Sequence, residues 1–212
     1  MTSLLLKDVT ASLGLSTGDS EEHYTITAVS WQQYEALLEC LSDTPGYRVT
    51  YLEGVLELVA PSRQRDRHKT LIGMLLEAYF QETRTRFYGL GSTTFRNPAG
   101  ASGTEPDECY CLGTEKAFPD LAIEVVVANG NVDKLAVYQR LGVPEVWFWR
   151  QGQFAVHCLR EGDYEQTESS ELLPELNLSL LSSYVDHPEP LDAVLEFREK
   201  GRHKLEDEGN SD

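Results

Sequence analysis

The chain has 212 residues and a formal net charge of −17. Its 41% hydrophobic and 25% charged residues are ordinary for a soluble globular protein. No apolar run approaches the ~20 residues that span a bilayer, and the N-terminus lacks a basic-then-apolar leader pattern, so a cytoplasmic protein is expected. An acidic chain is repelled by nucleic-acid phosphate at long range. The acidity is uneven, however: residues 161–212 hold 15 acids and 4 bases, a balance of −11 that leaves −6 on residues 1–160.

In chain order, residues 1–22 read as a loose polar arm, 23–200 as a single domain and 201–212 as an acidic tail. Ser30 can cap a helix over SWQQYEALLECLSD, whose Trp31, Tyr34, Leu37, Leu38 and Leu41 form an apolar stripe. YRVTYLEGVLELVAP follows as a hairpin turning near Glu53-Gly54. Glu57 stands between Leu56 and Leu58, either as an exposed strand carboxylate or as an auxiliary active-site acid. Residues 62–88 carry the longest helical pattern, with Leu71, Ile72, Leu75, Leu76, Tyr79 and Phe80 recurring at three and four. Its start is basic: Arg63, Arg65, Arg67, His68 and Lys69, opposed only by Asp66. Cations at a helix N-terminus oppose the dipole, so the cluster implies an anionic neighbour, either nucleic-acid phosphate or the protein's own acidic tail.

Phe87 to Arg96 reads as one strand, followed by a flexible NPAGASG loop and the strand EPDECYC. In PDLAIEV, alternation puts Asp120, Ala122, Glu124 and Val126 on one face, so Glu124 is a carboxylate inside an apolar run. Such a group needs a cation, a strong donor or a solvated cleft beside it. A helix capped by Asn131 places Lys134 in its first turn, and Gly142 ends that helix. PEVWFWR and FAVHCLR pair around Gln151-Gly152, residues 160–176 form a polar hairpin and connector, and LSLLSSYV and PLDAVLEFREK are two terminal helices. Cys40, Cys109, Cys111 and Cys158 have no zinc spacing and read as reduced thiols.

Two carboxylates on neighbouring strands plus a lysine form a minimal kit for metal-assisted phosphodiester hydrolysis. Asp107 and Glu124 would hold Mg²⁺ or Mn²⁺, and Lys134 would neutralise charge developing on the phosphate. Asp120 lies ~13 Å along its strand from Glu124, too far to share an ion, and reads as a turn carboxylate.

EGVLELVAPS, LGSTTFR, EPDECY, PDLAIEV and DKLAVYQRLGVPEVW, in that order, resemble the large bacterial Uma-two family of endonucleases, within the PD-(D/E)XK restriction-endonuclease-like superfamily. The resemblance spans roughly residues 25 to 185. It implies an α/β fold with a mixed central sheet flanked by helices, Asp107 and Glu124 as metal ligands, and DNA as substrate. A homodimer is a further assembly it suggests. Lys134 matches the lysine this family uses in the helix; the superfamily position two residues after the acid is Val126 here. Where relatives read PSPEHE this chain reads PSRQRD, so Arg65 replaces the usual histidine. These departures, with the acidic charge, leave a second reading: an impaired member that binds a protein or nucleic acid without cutting.

Overall fold

The computed structural model describes residues 22–41, 47–128 and 130–209, with side chains through Gly201. The arm expected over residues 1–22 therefore lies, but for its last residue, outside the described residues. Eleven strands and five helices are described. A five-stranded antiparallel sheet is ordered β1-β3-β2-β6-β5, from β1 (His23–Ile26), β2 (Arg48–Leu52), β3 (Val55–Val59), β5 (Phe95–Asn97) and β6 (Ser102–Thr104). A six-stranded sheet is ordered β11-β10-β9-β8-β7-β4, from β4 (Phe87–Gly89), β7 (Glu108–Leu112), β8 (Leu121–Val125), β9 (Glu145–Arg150), β10 (Gln153–Arg160) and β11 (Asp163–Thr167). It is mixed because β8 and β9 run parallel, joined by a crossover helix.

The helices are α1 (Trp31–Leu41), α2 (Arg63–Glu82), α3 (Lys134–Leu141), α4 (Leu178–Val185) and α5 (Pro190–Gly209). Alternation in the strands decides where each packs. Val49 and Tyr51 of β2 and Leu56 and Leu58 of β3 form one apolar face, which α1 covers with Tyr34, Leu37 and Leu41. On the six-stranded sheet, Leu121, Ile123, Val125, Trp147 and Trp149 meet Leu71, Ile72, Leu75, Leu76 and Phe80 of α2, together with α4 and α5. Both tryptophans are thus core residues. The opposite face, with Cys109, Ala122 and Val146, meets Val137, Tyr138 and Leu141 of α3, against which Leu52 and Val55 also pack. The crossover helix α3 is thereby held between the two sheets.

The α/β architecture and the mixed sheet agree with expectation; the second, antiparallel sheet is an addition to it. The turn at Glu53-Gly54 has φ of 46° and 88°, the paired left-handed geometry that twists two strands into a tight hairpin. Phe87 to Arg96 is not one strand. Its ends pair with different partners, β4 with β7 and β5 with β6, so the segment passes from one sheet to the other. The last helix runs to Gly209, beyond Gly201 where the tail was expected to start. Cys109, Cys111 and Cys158 are buried and unpaired, and burial pushes the Cys109 thiol up to about 12, which keeps it protonated.

Candidate active site

A cleft of about 380 Å³ opens at the N-terminal end of α3, lined by strands of both sheets. Its walls include His23, Arg48 and Glu57 from the antiparallel sheet, Glu124 and Val126 at the end of β8, and Lys134. Arg65, Arg150 and His157 complete its charged and titratable lining, with Asp133.

The centre is built by a four-residue step on α3. Lys134 and Tyr138 lie on one helix face, turned toward β8. Both donate to the same oxygen of Glu124: Lys134 Nζ to Oε1 at 3.0 Å and Tyr138 Oη to Oε1 at 2.5 Å. Asp133, not Asn131, caps the helix, its carboxylate accepting the Ala136 N–H at 3.2 Å. A cap two residues later than expected makes Lys134 the first helical residue. Asn131 is used differently: its backbone N–H donates to Glu57 Oε1 at 2.6 Å.

Burial pushes the Glu124 carboxyl up, but the Lys134 ammonium, the Tyr138 hydroxyl and the Arg65 guanidinium together outweigh it and hold the group below its ordinary range. Glu124 is therefore ionised, and its Oε2 accepts no hydrogen bond among the described residues. Lys134 Nζ also donates to Thr104 Oγ1 at 3.1 Å, which lies 3.0 Å from Thr50 Oγ1. This chain of contacts ties α3 to β6 and β2.

Asp107 is turned into the protein. It is 0% exposed, its Oδ2 accepts the Val125 N–H at 2.7 Å, and its Oδ1 is in an ion pair with Arg48. Arg65 Nη1 lies 4.0 Å from Oδ2. Arg48 and Arg65 are each only 7% exposed, and both line the cleft. Burial, then the neighbouring Arg65 charge, lowers the Arg48 pKa.

The donors present do not fit a divalent ion shared by two carboxylates. Glu124 offers one open oxygen, Asp107 offers none, and no group of three His, Cys, Asp or Glu side chains converges among the described residues. What the arrangement offers instead is three buried or half-buried cations, Arg48, Arg65 and Lys134, around an ionised Glu124.

Glu57 is not an exposed strand carboxylate: it is 2% exposed, since β1 and β2 flank it and the loop before α3 covers it. His23 Nδ1 lies 3.6 Å from its Oε1, and an added Cβ at Gly130 would meet both carboxylate oxygens at 2.6 Å. The basic start of α2 divides. Arg65 enters the cleft, whereas Arg63, Arg67 and His68 line a separate open hollow with Asp186. There Arg67 donates to the His187 and Pro188 carbonyls at 3.1 and 3.3 Å, and His68 Nε2 lies 2.7 Å from Asp186 Oδ1. Lys69 pairs with Asp66 at 3.6 Å. Asp186, between α4 and α5, is thus an anionic neighbour of the cluster from within the chain. Asp120 accepts the Leu112 N–H and the Lys116 ammonium, each at 2.7 Å, as a turn carboxylate should.

Sequence reasoning gave no role to Arg48, Thr50, Thr104, Glu105 or Tyr138. Arg48 and Thr50 alternate with Val49 and Tyr51, a sequence sign of a second, polar strand face. Glu105 is half-buried; burial raises its carboxyl while Arg48, Lys69 and Lys134 pull it back, and Glu124 opposes them.

No curated protein matches the chain. A family model does: Uma2, "Putative restriction endonuclease", over residues 31–185, which run from the first residue of α1 to the last of α4 and take in every cleft residue except His23. The chain therefore belongs to the Uma2 family.

Proposed function

We propose that this cleft hydrolyses phosphodiester bonds of DNA. The observation that carries the proposal is the Lys134–Glu124 ion pair, set in an open cleft between two further buried cations. Lys134 and Arg65 would bind the scissile phosphate and stabilise the charge that builds on its oxygens at the transition state. Glu124, kept ionised, would orient the attacking water through Oε2. Glu57 would act at one remove, holding the Asn131 amide and so the loop that delivers Lys134. Arg63, Arg67, His68 and Lys69 would meet the nucleic-acid backbone beside the cleft. The family's divalent ion, Mg²⁺ or Mn²⁺, belongs to the proposal as the ion to be supplied, although of the two carboxylates expected to hold it only Glu124 has an open oxygen among the described residues.

A second reading, binding without cleavage, draws on one specific observation: Asp107 is sealed beneath Arg48. The experiment that separates them is cleavage of supercoiled plasmid, linear duplex and single-stranded DNA with Mg²⁺, Mn²⁺ or EDTA, beside Glu124→Gln and Lys134→Ala. Cleavage by the parent that both variants lose supports the proposal. Undiminished cleavage in both variants refutes it, and retention of DNA by a parent that cuts no substrate supports the second reading.

A further inference from the structure

The floor of the cleft follows from strand register. β8, β9 and β10 lie side by side, and their pairing sets Glu124, Phe148 and Ala155 in one row across the sheet face that carries α3. With about 4.8 Å between neighbouring strands, the row runs roughly 10 Å from the carboxylate to the alanine. All three residues line the cleft. Lys134 stands at one end of the row, on Glu124. Trp147 and Trp149 point to the other face and are sealed in the core, whereas Phe148 between them is only half-buried. Ala155 ends at its Cβ, so the strand beside Phe148 presents nothing larger than a methyl group to the ring. His157, two residues along β10, meets that ring edge-on, with centroids 5.5 Å apart and 82° between the planes. Arg150, two residues along β9, is exposed at the rim. Holding and cutting a phosphate requires no aromatic floor, and a ring left half in water forgoes part of its burial.

We propose that Phe148 and Ala155 form the floor of a nucleobase subsite, so that the cleft takes an unpaired nucleotide of single-stranded DNA, its base on the Phe148 ring and its phosphate on Lys134 and Arg65. Both halves of a nucleotide find their match along one row. The cations take the anionic end, and one strand away the ring takes the base, whose π-face stacks on an aromatic side chain whatever the base's identity. The row is about as long as the reach of one nucleotide from its phosphate to the edge of its base. At about 380 Å³ the cleft falls in the range of sites that enclose one small ligand. A base inside a duplex is stacked on both faces and must first be unstacked to reach Phe148, whereas an unpaired base is already available. Burial lowers the pKa of His157, so its ring is neutral at pH 7 and offers one donor and one acceptor to the base edge. Arg150 at the rim adds a cation for a neighbouring phosphate.

The subsite rests on the phosphate seat of the proposed function, but its test reads binding and needs no cleavage. Three labelled probes of equal length are titrated with the full chain in EDTA and followed by fluorescence anisotropy: a single DNA strand, the same sugar-phosphate chain without bases, and the blunt duplex. The parent is expected to bind the single strand at least about tenfold tighter than the baseless chain, the factor that stacking one base on an aromatic side chain supplies, and tighter than the duplex. Phe148→Leu keeps an apolar side chain in the packing and is expected to remove most of that preference. Ala155→Leu fills the floor from β10, leaves Phe148 in place, and is expected to do the same. Lys134→Ala is expected to weaken the single strand and the baseless chain by similar factors, so that the preference survives. The proposal is overturned if the parent binds the single strand no tighter than the baseless chain, if the duplex binds tightest, or if either leucine variant, folded by its melting curve, keeps the parent's preference. The comparison of probes on the parent decides even if neither leucine variant folds. Metal-dependent cleavage of duplex DNA by a parent without base preference refutes the subsite and leaves hydrolysis standing. A parent that cuts no substrate, yet shows a base preference that both leucine variants lose, does the reverse.

Discussion

Replacing Tyr138 by Phe removes one hydroxyl from the centre of the cleft wall and leaves the ring's packing in place. That hydroxyl is buried and donates at 2.5 Å to an ionised carboxylate, Glu124 Oε1. A hydrogen bond to a charged partner contributes about 1.5–3 kcal/mol, against about 0.5–1.5 for a neutral one. Glu124 retains Lys134, so the variant should lose about 1.5–3 kcal/mol near pH 7, a fall in Tm of roughly 3–12 °C for a chain of this size. The sign of the pH dependence follows from Glu124, whose carboxyl is held below its ordinary value when folded despite burial, by Lys134, Tyr138 and Arg65. Such a group stabilises the fold above its unfolded pKa, and the contribution is lost as pH falls through the lower, folded one. Once Glu124 is protonated in both proteins only a neutral hydrogen bond distinguishes them, so the gap between parent and variant should narrow across the acid range below about pH 4. Urea unfolding of both proteins from pH 7 downward measures this. A difference under about 0.5 kcal/mol at pH 7, or a gap that does not change with pH, would refute the account of how Glu124 is held.

Three further outcomes are expected. An added Cβ at Gly103 would lie 2.3 Å from the Tyr34 hydroxyl, which is buried and has no hydrogen-bond partner among the described residues. Gly103→Ala should therefore cost about 1–3 kcal/mol by chemical denaturation, and Tyr34→Phe, itself near neutral, should rescue it. Gly130→Ala should push against both Glu57 oxygens, lower the denaturation midpoint and slow any cleavage, and adding Glu57→Ser should relieve the clash and restore the midpoint in part but not the cleavage, since the hold on the Asn131 amide is then gone; no effect of Gly130→Ala on either would remove Glu57 from its positioning role. Glu145, 1% exposed, accepts from Trp147 Nε1 at 2.5 Å and from the Glu171 and Leu172 amides at 2.9 and 3.2 Å. Glu145→Ala strands three donors and should cost about 3 kcal/mol or more, with earlier proteolysis near residues 168–173 as its local readout; Glu145→Gln should cost less.

Glu124 and Lys134 were legible because their placement is local. A period of two fixes the face of one, a helix start fixes the turn of the other, and neither depends on a distant part of the chain. Tyr138 could have been added by the same rule, four residues beyond Lys134. Glu57 was harder, since its strand's alternation shows a polar face but not what covers it. The cover comes from α3 inserted between two sheets, a non-local arrangement that no window of the sequence contains. The same holds for Phe87 to Arg96, whose β propensity is evident and whose division depends on the strands it finds. Arg48 was missed because an arginine near the start of a strand usually faces water, and only the burial of Asp107 beside it accounts for its being buried. Asn131 and Asp133 are both competent caps; Glu57 captures the amide of the first and leaves the second to start the helix.

The chain crosses from one sheet to the other through Glu105, Pro106 and Asp107, between the end of β6 and the start of β7. Lys134 grips both sides of that seam, Thr104 on one and Glu124 on the other. A small slide of one sheet past the other must lengthen one of these contacts as it shortens or strains the second, so the ammonium registers relative displacement of the sheets. Anything that wedges the seam open would disarm the lysine without touching it. Amide exchange in β6 and β8 should then rise together when Lys134 is removed, as two shores do when the bridge between them is cut.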